Sequence, residues 1–134
     1  MSGRLALTVV TPERAVLSGV ACDEVVLPAW KGEMGILPGH TALITLLGIG
    51  LVTWRDGATK TTVAVRGGFA EIANDAVRVL ADEAATKDGI DTTQAAAEKA
   101  DAERRRAEVT SAEELDALNA QARFAEARLA VTAS

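Results

Sequence analysis

The chain has 134 residues, a mass of 13.9 kDa, 49% hydrophobic and 25% charged residues, a composition that excludes disorder and collagen-like repeats and allows one domain, alone or with a small appendage. A formal charge of -5 argues against nucleic-acid binding, which needs a basic face. A single cysteine, Cys22, rules out an internal disulfide framework.

The start, with one basic residue and a short apolar run cut by Pro12 and Glu13, lacks the pattern of a signal peptide and reads as a cytoplasmic product. Short runs rich in β-branched residues then follow: Leu5–Val10, Glu24–Leu27, Leu51–Trp54, Thr59–Val65, Phe69–Ala73 and Ala76–Leu80. Asp56-Gly57 is expected to turn with positive φ at both centres, and Asn74-Asp75 likewise. Met34–Trp54 is uncharged and long enough to span a bilayer, but Gly35, Pro38, Gly39, Gly48 and Gly50 break helical geometry. It reads instead as two buried strands with turns. Arg66-Gly67-Gly68 lies between strands and is expected to be a turn or bulge. Many short strands without intervening helices predict a β-sandwich of about ten short strands.

Every glycine lies between Gly3 and Gly89 and every proline between Pro12 and Pro38, so the rest of the chain has no strong backbone punctuator. Asp91-Thr-Thr-Gln94 and Ser111-Ala-Glu-Glu114 have capping-box spacing and mark two helix starts. Leu115, Leu118, Ala122, Ala125 and Leu129 step by three and four along the second helix. Ala96, Ala97, Ala100 and Ala107 are the expected contact face of the first, in an antiparallel hairpin turning near Val109 and Thr110. The predicted architecture is β + α: residues 1–87 a β-sandwich docking domain, residues 88–134 an α-helical hairpin. Residues 1–87 carry 8 Lys and Arg against 9 Asp and Glu, and residues 88–134 carry 6 against 10. With few large apolar anchors, the hairpin is expected to be a mobile regulatory arm.

Chemistry is sparse. His40, Cys22 and Asp23 could in principle form a thiol dyad, but no basic neighbour in sequence would lower the cysteine pKa. One His with one Cys supplies no metal site, and neither Gly48-Ile-Gly50 nor Arg66-Gly67-Gly68 forms a phosphate loop, so no catalytic residue, metal or cofactor is expected. Two readings stand for Arg104, Arg105 and Arg106: a solvated helix end that suits the helix dipole, or an electrostatic contact with an acidic partner. Trp30 reads equally as a core cap or a partner contact.

The run Gly32-Glu-Met-Gly-Ile-Leu-Pro-Gly-His-Thr-Ala-Leu-Ile-Thr45 resembles the signature loop of the epsilon subunit of bacterial-type F-type ATP synthases. Ala64-Val-Arg-Gly-Gly-Phe-Ala-Glu-Ile72, Val77-Arg-Val-Leu-Ala-Asp-Glu-Ala84 and the tail ending Ala122-Arg-Phe-Ala-Glu-Ala-Arg-Leu-Ala130 extend the resemblance over the whole chain. It implies a non-catalytic central-stalk subunit of a proton-translocating enzyme, peripheral on the cytoplasmic face of the bacterial inner membrane and touching the membrane only through the complex. The implied partners are the gamma subunit, the c-ring and the beta subunit. Glu33, Met34, Gly35 and His40 match the c-ring-facing loop. Arg104, Arg105, Arg106, Arg123 and Arg128 are the tail residues implied to meet acidic segments on beta when the arm extends and blocks ATP hydrolysis. Some members bind ATP through Ile-Asp-x-x-Arg-Ala. Here Asp91 is kept but Gln94 stands at the arginine position, and a neutral amide gives no bidentate charged phosphate contact, so ATP binding is not expected. The alternative from another class is a free-standing sandwich that binds a small ligand, with the helices as an oligomerisation arm.

Overall fold

The computed structural model describes residues 3–133. Among these, eight strands form: β1 Leu5–Val10, β2 Ala15–Cys22, β3 Glu24–Ala29, β4 Gly32–Ile36, β5 Leu43–Leu46, β6 Ile49–Asp56, β7 Thr59–Ala73 and β8 Ala76–Ala85. They are fewer than the ten or so expected, chiefly because Thr59–Val65 and Phe69–Ala73 are halves of one 15-residue strand. Gly67 and Gly68 do not end that strand but bend it, at φ of 67° and 96°. Positive φ is accessible there because glycine has no Cβ; one on Gly68 would collide with the Leu80 carbonyl oxygen.

That bend makes two layers from one hydrogen-bonded array. The strands run in the order β2-β1-β8-β7-β6-β3-β4, with β5 added to β7. The first half of β7 pairs with β6 (Asp56↔Thr59 through Ile49↔Arg66), and the second half pairs with β5 (Leu46↔Phe69 through Leu43↔Ile72). β1 pairs with the start of β8 in parallel and with β2 antiparallel. The core between the layers comes from inward side chains at alternate positions: Leu5, Leu7 and Val9 on β1, Val25 and Leu27 on β3, Val63 and Val65 on β7, Val77 and Val79 on β8.

The hairpin turns differ in detail from their sequence reading. Asn74 and Asp75 do take positive φ, at 52° and 62°, as a two-residue type I′ turn requires. At the other hairpin β6 includes Asp56, so the turn centres are Gly57 and Ala58, and only Gly57 has positive φ (61°). Asp56 therefore stays extended.

After β8 a 3-10 turn at Lys87–Gly89 leads into α1, Thr92–Arg106, and α2, Ala112–Ala133. Both starts are capped as the sequence predicts: the Gln94 amide donates to Asp91 Oδ1 at 3.1 Å and the Glu114 amide to Ser111 Oγ at 3.1 Å. The face of α1 does not follow expectation. Ala96, Ala97, Ala100 and Ala107 are exposed, while Ala95 and Ala102 are buried. Alanines on either side offer similar apolar area, and polar partners on α2 decide the rotation. Gln121 Nε2 donates to the Glu98 carbonyl at 2.8 Å, Arg128 pairs with the Glu98 carboxylate, and Arg106 Nη1 donates to Asn119 Oδ1 at 3.0 Å. On α2, Leu118, Ala122 and Ala125 are buried as expected, while Leu115 is exposed.

α2, rather than α1, is the helix that packs on the sheet. Phe124, Ala127 and Val131 meet Ala64, with Ile49, Leu51, Ala85 and Ile90 around them. Ala64 points away from the sandwich core, so Val63, Ala64 and Val65 are all buried although strand alternation predicts only one side chain in two.

Candidate functional site

Glu33, Met34 and Gly35 lie on β4, which closes one edge of the array. Glu33 and Gly35 are exposed, while Met34 packs partly against the core. His40 lies four residues beyond the end of β4, in a turn where its amide donates to the Leu37 carbonyl at 3.1 Å and its Nδ1 lies 2.7 Å from the Thr41 carbonyl oxygen. The Gly39 amide donates to Asp75 Oδ1 at 2.7 Å, which ties this loop to the β7–β8 hairpin. Three of the four residues thus lie on the edge strand, and His40 lies in the loop that follows it.

The five arginines meet different fates in this conformation. Arg104 and Arg105 pair with Asp101 at 2.6 and 3.4 Å, and Arg106 with Glu103 at 3.9 Å in addition to Asn119. Asp101 is held below the usual carboxylate range, first by the hydrogen bond from Gln121 and then by Arg105 and Arg104. Arg128 pairs with Glu98, donates to the Phe124 carbonyl at 3.3 Å and lies 4.8 Å from the Phe124 ring centre, with 14% of its side chain exposed. Arg123 is exposed and lines a cleft with Trp30, Glu33 and Gly48.

Gln94 lines a polar cleft between arm and sandwich with Arg66, Glu83, Glu98, Gln121, Phe124 and Arg128. Both cations of this cleft face a carboxylate, Arg66 Nε to Glu83 at 3.6 Å and Arg128 to Glu98, and Asp91 is engaged as a helix cap.

Cys22 and His40 are not assembled for nucleophilic chemistry. The thiol is fully buried, and burial pushes its pKa up. The charged groups acting on it are Arg4, Asp23 and Asp56. Asp23 is engaged elsewhere, accepting from the Gly57 amide at 2.7 Å and facing Arg4 and Arg55.

Sequence reading missed an apolar surface. The stretch around β5 is expected to be buried, yet Ile44 is 65% and Leu46 61% exposed. Register explains what they build. Leu46 stands opposite Phe69, Phe69 opposite Leu80, and Leu80 opposite Val10, so one apolar row crosses β5, β7, β8 and β1. Phe69 is 40% exposed, and a shallow cleft lined by Val10, Pro12, Phe69 and Leu80 continues the row. Its sequence signal is the uncharged run itself, which says that the segment is apolar but not what covers it. Trp30, whose amide donates to the Leu46 carbonyl at 3.1 Å, adds a further exposed aromatic with Lys31 Nζ 4.9 Å from its ring centre. It is no core cap.

One outer face of the sandwich is thus covered by its own helices, while the other carries an apolar row beside the Glu71–Arg78 pair. The sequence model described as "ATP synthase, Delta/Epsilon chain, beta-sandwich domain" matches residues 4–87, and the chain belongs to this family. The ATP synthase epsilon chain of a Synechococcus species is 42% identical over 98 residues, 73% of this chain and 72% of that one. That of Solibacter usitatus is 45% identical over 97 residues, 72% of each. A chain of the Euglena gracilis mitochondrial ATP synthase shares the fold with a TM-score of 0.80 at 21% identity, over 98% of this chain and 82% of that one. A chain of the Tetrahymena thermophila mitochondrial ATP synthase central stalk and c-ring gives 0.60 at 12% identity, over 96% of each. The chain is thus a non-catalytic stalk subunit of an ATP synthase. Among the described residues no helix is long and apolar enough to cross a membrane, and no cluster of His, Cys, Asp and Glu has the form of a metal site.

Proposed function

We propose that this chain couples the catalytic head of a proton-translocating ATP synthase to its c-ring and restrains ATP hydrolysis through its helices. The observation that carries the proposal is the apolar row on the layer that the arm leaves open, with Leu46 and Phe69 exposed and Leu80 and Val10 half-buried beside them. A row of this kind is a contact surface in want of a partner, and the gamma subunit is the partner assigned to it. The edge carrying Glu33, Met34, Gly35 and His40 would face the c-ring, on the cytoplasmic side of a bacterial inner membrane. Residues 1–87 serve as the docking domain and residues 88–134 as a mobile arm. Extended, the arm presents Arg104, Arg105, Arg106, Arg123 and Arg128 to acidic segments of beta. Its hold on the sandwich suits such motion, because the apolar contact of α2 with the sheet consists of Phe124, Ala127 and Val131. ATP binding is no part of the proposal.

Deleting residues 88–134 tests the arm in the assembled complex. Assembly is retained and ATP hydrolysis rises; unchanged hydrolysis would count against the inhibitory role.

A further inference from the structure

On the layer that the arm leaves open, strand register sorts the outward side chains into three rows. The first is the apolar row Leu46, Phe69, Leu80 and Val10. Two residues away along each strand lie Ile44, Glu71, Arg78 and Thr8, and two further on, across β7, β8, β1 and β2, lie Ala73, Ala76, Ala6 and Ala21. Alanine side chains rise little above the backbone, so the first row stands as a ridge over the third. Between the two sits a charged pair. Arg78 Nη1 lies 3.8 Å from Glu71 Oε1, and 62% and 43% of the two side chains remain exposed. The pair is loose where that of Arg128 with Glu98 is closed, with 14% of the Arg128 side chain exposed. Both heads of the loose pair keep hydrogen-bonding capacity that the other does not use.

Apolar contact has no direction of its own, and a row of Leu, Phe, Leu and Val accepts a matching surface in either sense. A charged pair does have a sense, because like charge brought against either head is strongly unfavourable once water is excluded. Resting on the assignment of gamma to this face, we propose that Glu71 and Arg78 orient gamma on it. The matching surface of gamma is apolar where it meets the row, with a carboxylate opposite Arg78 and a cationic side chain opposite Glu71. The row supplies the contact area, and the pair decides which way round it is used. The competing arrangement is a self-satisfied pair buried under uncharged surface, which calls for short, closed geometry, and this pair is open. The two arrangements respond oppositely to neutralisation. Replacing a self-satisfied buried pair by neutral groups is harmless or favourable, whereas neutralising an orienting pair strands the charges that gamma brings.

The test measures binding of the full chain to the gamma-containing catalytic head stripped of this subunit. Exchanging the charges, Glu71→Arg with Arg78→Glu, keeps a pair within the chain but reverses its sense. The thermal midpoint stays near that of the parent, since an exposed pair adds little to stability, while binding weakens by about tenfold or more. Neutralising both, Glu71→Gln with Arg78→Gln, weakens binding by about threefold or more, and 1 M NaCl narrows both gaps to the parent. Should the exchanged chain melt early, the neutral variant carries the test alone. Parent-like binding by either folded variant would overturn the orienting role. Ile44→Ser with Leu46→Ser reads the gamma assignment separately: parent-like binding by that variant moves gamma off the face, whereas its loss beside parent-like binding of the charge variants sinks the orienting role alone. The free chain is expected to sediment as a monomer, and a dimer that Ile44→Ser with Leu46→Ser dissociates would overturn the proposal by giving the face to a second copy.

Discussion

Replacing Phe124 by alanine removes the largest side chain that α2 buries on the sheet, and its effect can be worked out from the contacts. The residue is 7% exposed, among Ala64, Ala127 and Val131. Burying a phenylalanine is worth about 1.5 to 3 kcal/mol, of which the retained alanine methyl keeps about 0.8. Losing the ring face beneath Arg128 removes about 0.5 to 1 kcal/mol more. A loss of about 2 kcal/mol shifts the docking equilibrium about 30-fold, since 1.4 kcal/mol is a factor of ten. Phe124 belongs to a cluster distinct from the sandwich core, so the shift is expected in docking rather than in the integrity of the sandwich. Limited trypsin digestion reads it: cleavage after Lys87 accelerates by about that factor when it proceeds from the undocked state. The sandwich fragment meanwhile resists cutting at Arg55, Lys60, Arg66 and Arg78. An unchanged rate, or digestion of the sandwich as fast as cleavage at Lys87, would refute the separation of the two clusters.

Gly68→Ala places a methyl against the Leu80 carbonyl at a φ of 96°, and a strain of about 1 to 3 kcal/mol lowers the thermal midpoint by about 4 to 8 °C per kcal/mol. Gly35→Ala, on open β4 backbone, leaves the midpoint near the parent value. Asp23 is held below the ordinary carboxylate range by the Gly57 amide and then by Arg4 and Arg55. With a folded pKa below the unfolded one, its stabilisation is complete above about pH 4 and is lost as pH falls through the depressed value. Urea melts from pH 7 to pH 2.5 should therefore show a steeper acid loss for the parent than for Asp23→Asn, and parallel curves would remove the carboxylate's role. Ile44→Ser with Leu46→Ser takes two exposed apolar side chains off the open face, so co-purification with gamma is lost while the thermal midpoint moves little. Retained co-purification would move gamma to another surface.

Local chemistry carried much of the architecture. Asp91 and Ser111 announce the helix starts because a cap is a contact between residues three apart, and Asn74-Asp75 announces its turn because positive φ is a property of the residues themselves. The confinement of glycine and proline to the first 89 residues separates strands from helices for the same reason. The loop residues proposed to face the c-ring and the tail arginines were nameable from resemblance alone; the hydrogen bonds and ion pairs of these segments, which span up to 36 positions, were not.

Whatever depended on partners distant in the chain was decided by tertiary structure. An alanine-rich helix has no strongly amphipathic face, so Glu98, Asp101 and Arg106 set the rotation of α1 through Gln121, Arg128 and Asn119. Gly67-Gly68 reads as punctuation, but only pairing with both β5 and β6 shows that it folds one strand into two layers. Hydrophobicity marks Ile44, Leu46 and Ala64 alike as apolar. It cannot tell that α2 covers Ala64 while the other two remain open, because cover comes from another part of the chain.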